Sequence, residues 1–224
     1  MTDAYPRPLD DSELDATWRA AWSDVGVQPP GGLQAELMTA WSEPHRHHHD
    51  HRHLRECLAL WVRWGGLCER SGEVAIGLWF HDAIHDPRDA SNELRSAAWA
   101  ARALTRAGAD SKTVQRVHDL VMATEHGATP VRARVGSGTN AEARLIIDID
   151  LSILGSPAER FERYDQDVRK ESAWVPGFRY QEARAQVLQG FLDRPQLYHG
   201  EHAVALLETQ ARINLAAALS RLAQ

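Results

Sequence analysis

The chain has 224 residues, of which 43% are hydrophobic and 25% are charged, so it can bury a core without disulfides, and two cysteines cannot form a disulfide framework. A formal net charge of −6 argues against a surface that binds duplex nucleic acid through net positive charge. The N-terminus has no basic or apolar leader and the most apolar stretch, residues 74–80, is too short to cross a membrane, so we expect a cytoplasmic protein with no membrane partner.

Helical periodicity recurs along the chain and strand-like alternation is almost absent, which predicts an all-α fold. The first helix is expected to begin near Ser12, where residues 12–15 resemble a capping box. A long helix is expected over residues 50–69, ended by Gly72, and residues 73–85 are apolar on almost every side, which predicts a buried central helix. The other predicted helices cover residues 33–41, 92–107, 111–125, 141–154, 157–172, 178–193 and 200–222, and an exposed loop is expected at 127–140.

We expect one domain over residues 1–224, because the chain shows no internal repeat, low-complexity tail or convincing linker. In this prediction, residues 1–32 contribute an N-terminal helix and a linker that pack on the rest. The eight tryptophans fall mostly at helical spacing, which is typical of core residues. The tryptophan-rich N-terminal helices would either cap this core or form a homodimer contact.

The sharpest local signal is the pair His81-Asp82, which directly follows the apolar residues 78–80. Two adjacent polar side chains in an apolar helix are unfavourable unless they have partners. One interpretation is a hydrogen-bonded polar pair at the end of a helix. The other is a metal site, because imidazole nitrogen and carboxylate oxygen are both good ligands for divalent cations.

A second signal is a histidine-rich tract, since six of the twelve histidines lie between residues 45 and 53. On a helix, His49 and His53 share one face at a spacing of four residues. Leu54 and Leu58 then place His53 beside the buried stripe. The other histidines of the tract are interpreted as solvated or structural, and a His-rich tract also binds metals without specificity.

A third signal is the pair of carboxylates Asp148 and Asp150 within the nearly continuous apolar run 145–154. One carboxylate in this setting fits a helix cap or an ion-pair partner. Two of them suggest a cation or an arginine nearby.

Taken in order, His53, His81-Asp82 and Asp150 in an all-helical chain resemble the HD superfamily of metal-dependent phosphohydrolases. Over residues 33–215 the chain is similar to one bacterial branch of that superfamily, a set of predicted phosphohydrolases of about this length. The segments that carry the resemblance are EPHRHHHDHRHL, WFHDAIHDP, NELRSAA, ATEH, IDIDLSILG, YQEAR, VLQGFLDR and ARINL.

The resemblance implies a single-domain helical bundle of the HD type with a buried metal site, in which His53, His81, Asp82 and Asp150 are the ligands. Asp150 is preferred to Asp148, because the family pattern places the ligand before an apolar or basic residue. Asp148 would then lie beside the ligands or in an ion pair. Two imidazoles and two carboxylates suit Mn²⁺, Fe²⁺, Co²⁺ or Mg²⁺ better than they suit a Cys-rich zinc site.

The resemblance also implies hydrolysis of a phosphomonoester or phosphoanhydride, with a nucleotide as the commonest substrate class. A metal-activated water would attack the phosphorus, and Asp82 and His81 would be the catalytic residues, with Asp82 as general base. The alternatives are a dinuclear-iron oxygenase on the same fold and a non-catalytic module that binds a nucleotide or a metal.

The remaining predicted site residues bind substrate or support the ligands: Arg46, His49, His85, His126, Asp148 and Glu93. Arg46 is the first candidate for a phosphate contact, ahead of Arg95 and Arg184, which are more typical of ion pairs. His126 is expected either near the site or as a charge at a helix C-terminus, and Glu93 either near the site or at a helix N-terminus.

The chain departs from the branch at three positions. It has His48 and Asp50 where the branch usually has tyrosine and asparagine, and His85 where the branch usually has tyrosine. Because His85 follows His81 by four residues, its side chain is expected to face the same cavity.

Overall fold

A computed structural model describes residues 5–125 and 140–223. Within these ranges it contains ten α-helices, two short 3₁₀ helices and no strand, which confirms the all-α prediction. The chain divides into two compact units, one of Arg7–Asp150 and the other of Leu151–Gln224 with Met1–Pro6. No helix of the described ranges is long and apolar enough to cross a membrane.

The Arg7–Asp150 unit contains the first seven α-helices and a 3₁₀ turn, Gly65–Leu67, after the third helix. The α-helices are α1 (Asp11–Val25), α2 (Leu33–Trp41), α3 (His51–Trp64), α4 (Ser71–Phe80), α5 (Asn92–Arg106), α6 (Ser111–Ala123) and α7 (Ala141–Asp150). The long helix predicted over residues 50–69 therefore ends at Trp64, where two consecutive glycines follow. Most of the loop predicted over residues 127–140 lies outside the described ranges.

Helix α4 is the centre of this unit, because it contacts α1, α3, α5, α6 and α7 and is buried from Gly72 to Phe80. This confirms the predicted buried central helix. Its N-terminal end packs closely on α1: a Cβ atom added to Gly72 would lie 2.8 Å from the carbonyl oxygen of Ala21, and the Gly72 N–H donates to Asp24 Oδ2 at 2.6 Å. Gly72 thus lies inside α4, where the close approach of α1 requires a glycine. The prediction that Gly72 separates α3 from α4 was wrong.

Helix α4 ends at Phe80, five residues before the end predicted from the sequence. The backbone carbonyl oxygens of Asp82 and Ala83 accept hydrogen bonds from the guanidinium of Arg46 instead of from a following helical turn. The Asp86 N–H, which would have bonded to the Asp82 carbonyl in a longer helix, donates to Asn92 Oδ1, and residue 87 is a proline without an N–H. His81-Asp82 therefore lies just beyond the end of α4.

Helix α1 begins at Asp11, and its N-cap lies two residues before the one in the capping-box interpretation. Asp10, not Ser12, is the N-cap residue, and its side chain accepts from the Glu13 N–H while the Glu13 carboxylate accepts from the Asp10 N–H. Both exchanges together form a capping box. Trp18 of α1 then packs edge-on against Trp79 of α4, with ring centroids 4.9 Å apart.

The second unit consists of a 3₁₀ segment (Leu151–Gly155), α8 (Ala158–Glu171), α9 (Gly177–Leu192) and α10 (Glu201–Leu222). Helix α10 contacts α8, α9 and the 3₁₀ segment. The side chain of Asn214 donates to the carbonyl oxygens of Leu154 and Ser156, each at 2.8 Å. These hydrogen bonds fix the end of the 3₁₀ segment on α10.

Candidate metal centre

Three helices of the Arg7–Asp150 unit bring together the four residues that the resemblance implies as metal ligands. His53 lies in the first turn of α3, His81 and Asp82 follow α4, and Asp150 is the last residue of α7. His53 and His81 are almost completely buried, while the side chain of Asp82 is 14% exposed. The sequence therefore identified side chains that meet in space although they are far apart along the chain.

The ligand atoms of these residues converge on a small region. His53 Nε2 lies 3.2 Å from His81 Nε2 and 3.1 Å from Asp150 Oδ1, and His81 Nε2 lies 3.5 Å from Asp150 Oδ1. Asp82 Oδ2 is 3.2 Å from His81 Nε2 and 4.0 Å from His53 Nε2. Ligand atoms that share one ion with bonds of about 2.0–2.3 Å lie roughly 3.0–3.6 Å apart, so most of these spacings fit a single cation.

Local hydrogen bonds hold the backbone at His53 and orient the imidazole of His81. Asp50 caps α3, because its side chain accepts from the N–H groups of Arg52 and His53. The Nδ1–H of His81 donates to the carbonyl oxygen of Leu78 at 2.7 Å, which leaves Nε2 directed at the other ligand atoms. A carbonyl partner on the second ring nitrogen is a common way to fix the tautomer of a metal-binding histidine.

The electrostatics of the cluster favour a positive charge at its centre. Burial by itself lowers the pKa of His81, but the carboxylates of Asp82 and Asp150 outweigh burial and hold this pKa well above its ordinary value. Burial likewise raises the pKa of Asp82, but His81 outweighs it, so the pKa of Asp82 lies below its ordinary value. A proton on His81 and a divalent cation would therefore compete for the same place.

Cys57 belongs to this cluster although the sequence analysis did not select it. One ligand atom of each of His53, Cys57, His81 and Asp150 lies within 4.8 Å of those of the other three. The thiol is buried, and Sγ lies 3.7 Å from both ring nitrogens of His53. The signal in the sequence was its position four residues after His53 on the same helix.

The two carboxylates of α7 have different positions. Asp150 supplies an oxygen to the cluster, whereas Asp148 is buried on the same helix and does not belong to that group of ligand atoms. The geometry is therefore compatible with the preference for Asp150.

Arg46, the first candidate for a phosphate contact, is surrounded by protein acceptors. Its side chain is completely buried, and its guanidinium donates to the Glu43 carboxylate and to the carbonyl oxygens of His49, Asp82 and Ala83. It therefore connects the segment before α3 to the segment after α4, and the predicted phosphate contact stays a prediction.

The extra imidazoles form a group next to the cluster. The rings of His49 and His85 stack with centroids 4.1 Å apart, and His48 contacts both His49 and His53, each at 4.7 Å. His85 reaches this group from the turn after α4. The sequence argument placed His85 one helical turn after His81. That argument was wrong, because α4 ends at Phe80, before both residues.

The other predicted residues lie elsewhere or outside the described ranges. Glu93 is in the first turn of α5, which agrees with the interpretation that it lies at the N-terminus of a helix. Arg95 pairs with Asp89 at 2.8 Å, and Arg184 of the second unit pairs with Asp165 at 2.9 Å, so both form the ion pairs expected of them. His126 lies outside the described residues.

A separate cavity of the Arg7–Asp150 unit is lined by residues 66–70 and 140–142. None of the predicted ligands lines it. The candidate centre is therefore a tight cluster of side chains at the ends of helices, and this cavity is not part of it.

Comparison of the chain with protein-family models found no matching family, and comparisons with curated proteins and with solved structures found no match either. The functional argument accordingly rests on the residues of the site.

Proposed function

We propose that this chain is a metal-dependent phosphohydrolase that acts on a phosphomonoester or phosphoanhydride, with nucleotides as the expected substrate class. The observation that supports the proposal is the convergence of His53, His81, Asp82 and Asp150 from three helices, with neighbouring ligand atoms 3.1–4.0 Å apart. Two imidazole nitrogens and two carboxylate oxygens form a ligand set for Mn²⁺, Fe²⁺, Co²⁺ or Mg²⁺.

A bound divalent cation would supply Lewis-acid chemistry, lowering the pKa of a coordinated water and polarising a phosphoryl oxygen. His53, His81 and Asp150 would hold the cation. Asp82 has the most exposed side chain of the four ligands, at 14%, so water and substrate would approach on its side. Because its pKa is lowered, Asp82 is ionised at neutral pH, and it can accept a hydrogen bond from the attacking water and orient it.

The half-buried imidazoles of His49 and His85 are the polar groups beside the cluster that suit a phosphate. Each ring can donate a hydrogen bond to a phosphate oxygen, and a protonated ring can donate two. Because the two rings stack with centroids 4.1 Å apart, a phosphate that contacts one of them would lie close to the other.

The test combines elemental analysis of untagged protein with a phosphate-release screen over nucleotides in the presence of Mn²⁺, Co²⁺ or Mg²⁺. We expect about one metal ion per chain and metal-dependent release of phosphate or pyrophosphate. His81→Ala and Asp82→Ala are expected to lose both properties. His118→Ala removes a histidine of α6 that pairs with Asp119 and should keep them.

Other outcomes would replace the proposal. Two iron ions per chain without phosphate release would indicate an oxygenase. Stoichiometric metal or bound nucleotide without any turnover would indicate a non-catalytic binding module. Full metal stoichiometry in His81→Ala or Asp82→Ala would show that the ligand assignment is wrong.

A further inference from the structure

Cys57 lies one helical turn after His53 on α3, on the face that carries the candidate metal centre. It is 1% exposed and is not part of a disulfide. A buried cysteine outside a disulfide often serves only as a small hydrophobic residue. The groups around its sulfur distinguish Cys57 from that ordinary role.

Three metal-binding side chains surround the thiol. Sγ lies 3.7 Å from both ring nitrogens of His53, and it is within 4.8 Å of a ligand atom of both His81 and Asp150. Around a tetrahedral Zn²⁺, with bonds of about 2.0 Å to nitrogen and about 2.3 Å to sulfur, nitrogen and sulfur ligands lie roughly 3.6 Å apart. The distance from Cys57 Sγ to His53 Nε2 fits this value.

The spacing of the other ligand atoms fits the same arrangement. The nitrogens of His53 and His81 are 3.2 Å apart, and Asp150 Oδ1 lies 3.1 Å and 3.5 Å from them. Two nitrogens, one oxygen and one sulfur are thus grouped within 4.8 Å of one another, and Asp82 lies beside His81.

We infer that Cys57 is a sulfur ligand of this centre and makes it select Fe²⁺, Co²⁺ or Zn²⁺ over Mg²⁺. The inference rests on the metal site of the proposed function and adds the selection of the metal. Thiolate is a soft ligand that favours these ions, whereas Mg²⁺ prefers a set of oxygen ligands. Activity assays with Mg²⁺ alone would accordingly underestimate the hydrolytic activity of the protein.

The experiment is a spectroscopic titration of the metal-free protein with Co²⁺. A thiolate bound to Co²⁺ produces a charge-transfer band in the near ultraviolet, whereas any Co²⁺ bound by nitrogen and oxygen produces the visible d–d bands. We expect both kinds of band in the wild-type protein. Cys57→Ser, which nearly preserves the side-chain volume, and Cys57→Ala should keep the d–d bands and lose the near-ultraviolet band.

The chain offers a matched control in Cys68, the other of its two cysteines. Cys68 is half-buried, its thiol donates to the Gly65 carbonyl oxygen, and it does not belong to the group of ligand atoms. Cys68→Ser should therefore retain the near-ultraviolet band in full. A competition between Zn²⁺ and Mn²⁺ should shift toward Mn²⁺ by about tenfold or more in Cys57→Ser and remain unchanged in Cys68→Ser.

The outcomes separate this inference from the proposed function. Visible d–d bands without a near-ultraviolet band in the wild-type protein would overturn the sulfur ligand and leave the metal centre intact. A near-ultraviolet band that persists in Cys57→Ser would also overturn it. A protein that binds no Co²⁺ would overturn the sulfur ligand and the metal centre together.

Discussion

Nη1 of Arg46 donates a hydrogen bond of 2.7 Å to the carbonyl oxygen of Asp82, a residue that lies 36 positions later in the chain. The same guanidinium also donates to the carbonyl oxygens of His49 and Ala83. One buried side chain thus connects the segment that leads into α3 with the segment that ends α4. His53 follows directly after the first of these segments and His81-Asp82 belongs to the second, so Arg46 holds together the two parts of the chain that bring these candidate ligands to the cluster.

Arg46→Lys is expected to lower the free energy of unfolding by about 2–3 kcal/mol, because a single ammonium cannot replace a planar group with donors in three directions and leaves buried carbonyl oxygens without partners. Metal affinity should fall in the same variant, because the two ligand-bearing segments lose their connection. Chemical denaturation and metal titration measure the two effects.

Arg95→Lys, at the more exposed pair with Asp89, should change stability by less than about 1 kcal/mol. An Arg46→Lys variant with unchanged stability and metal content but a raised KM would instead support the predicted phosphate contact.

Asp150→Asn and Asp148→Asn form a matched pair on one helix. The first replaces the carboxylate whose Oδ1 lies 3.1 Å from His53 Nε2, and we expect metal affinity to fall by about a hundredfold or more, since even residues behind the ligands cost ten- to a hundredfold. The second changes a buried carboxylate outside the cluster and should leave the metal stoichiometry intact. Isothermal titration with Mn²⁺ or Co²⁺ compares them, and the reverse order would exchange the roles of the two residues.

The pKa values of His81 and Asp82 predict how the stability of the metal-free protein depends on pH. The raised pKa of His81 contributes stability that is fully present below its ordinary value of 6.5 and is lost as the pH rises through the folded-state value. The lowered pKa of Asp82 contributes stability that is present above its ordinary value of 3.8 and is lost as the pH falls through the folded-state value. The contribution should be greatest between pH 3.8 and 6.5.

Denaturation of wild-type protein and of His81→Gln in the presence of a chelator, over a series of pH values, checks this window. The difference in unfolding free energy between the wild-type protein and His81→Gln should decrease on either side of this pH window. The titration of all other groups occurs in both proteins and cancels in the difference. Metal binding should show the opposite trend at the alkaline edge of the window, where it should strengthen as the pH rises, because the proton on His81 must leave. A stability difference that is constant with pH would contradict the raised pKa.

Gly72→Ala is expected to destabilise the protein by about 1–3 kcal/mol, since the new methyl group would overlap the backbone of α1. A Cβ atom there lies 2.8 Å from the carbonyl oxygen of Ala21 and 2.6 Å from Asp24 Cβ. The control is Gly190→Ala within α9, where a Cβ atom meets nothing within 4 Å and should stabilise the helix by about 0.5–1 kcal/mol. Thermal or chemical unfolding measures both variants, and equal effects would show that α1 and α4 do not need this close contact.

The sequence predicted the helical segments well, because their apolar periodicity and their glycine and proline breaks are local signals. It predicted the wrong end for α4, because that end depends on Arg46, whose hydrogen bonds to residues 82 and 83 span more than thirty positions of sequence. The four candidate ligands were selected because their order resembles the pattern of the HD superfamily, and the cost of burying polar groups supported the choice of His81-Asp82 and of the carboxylates of α7. Cys57 could not be selected from the sequence, since a cysteine on an apolar helix face is indistinguishable from a core residue until the positions of the neighbouring imidazoles are known.

The spacing of the ligands along the chain has a consequence for folding. His53 and His81 are separated by 28 residues, and His53 and Asp150 by 97. An ion held by all three would act as a cross-link that closes two chain loops at once, and it would bind only where α3, α4 and α7 have already assembled. Loop closure costs more entropy as the loop lengthens, so the longer connection to α7 would gain most from the ion. The supply of metal would then govern how long the folded chain survives, in addition to whether it can catalyse a reaction.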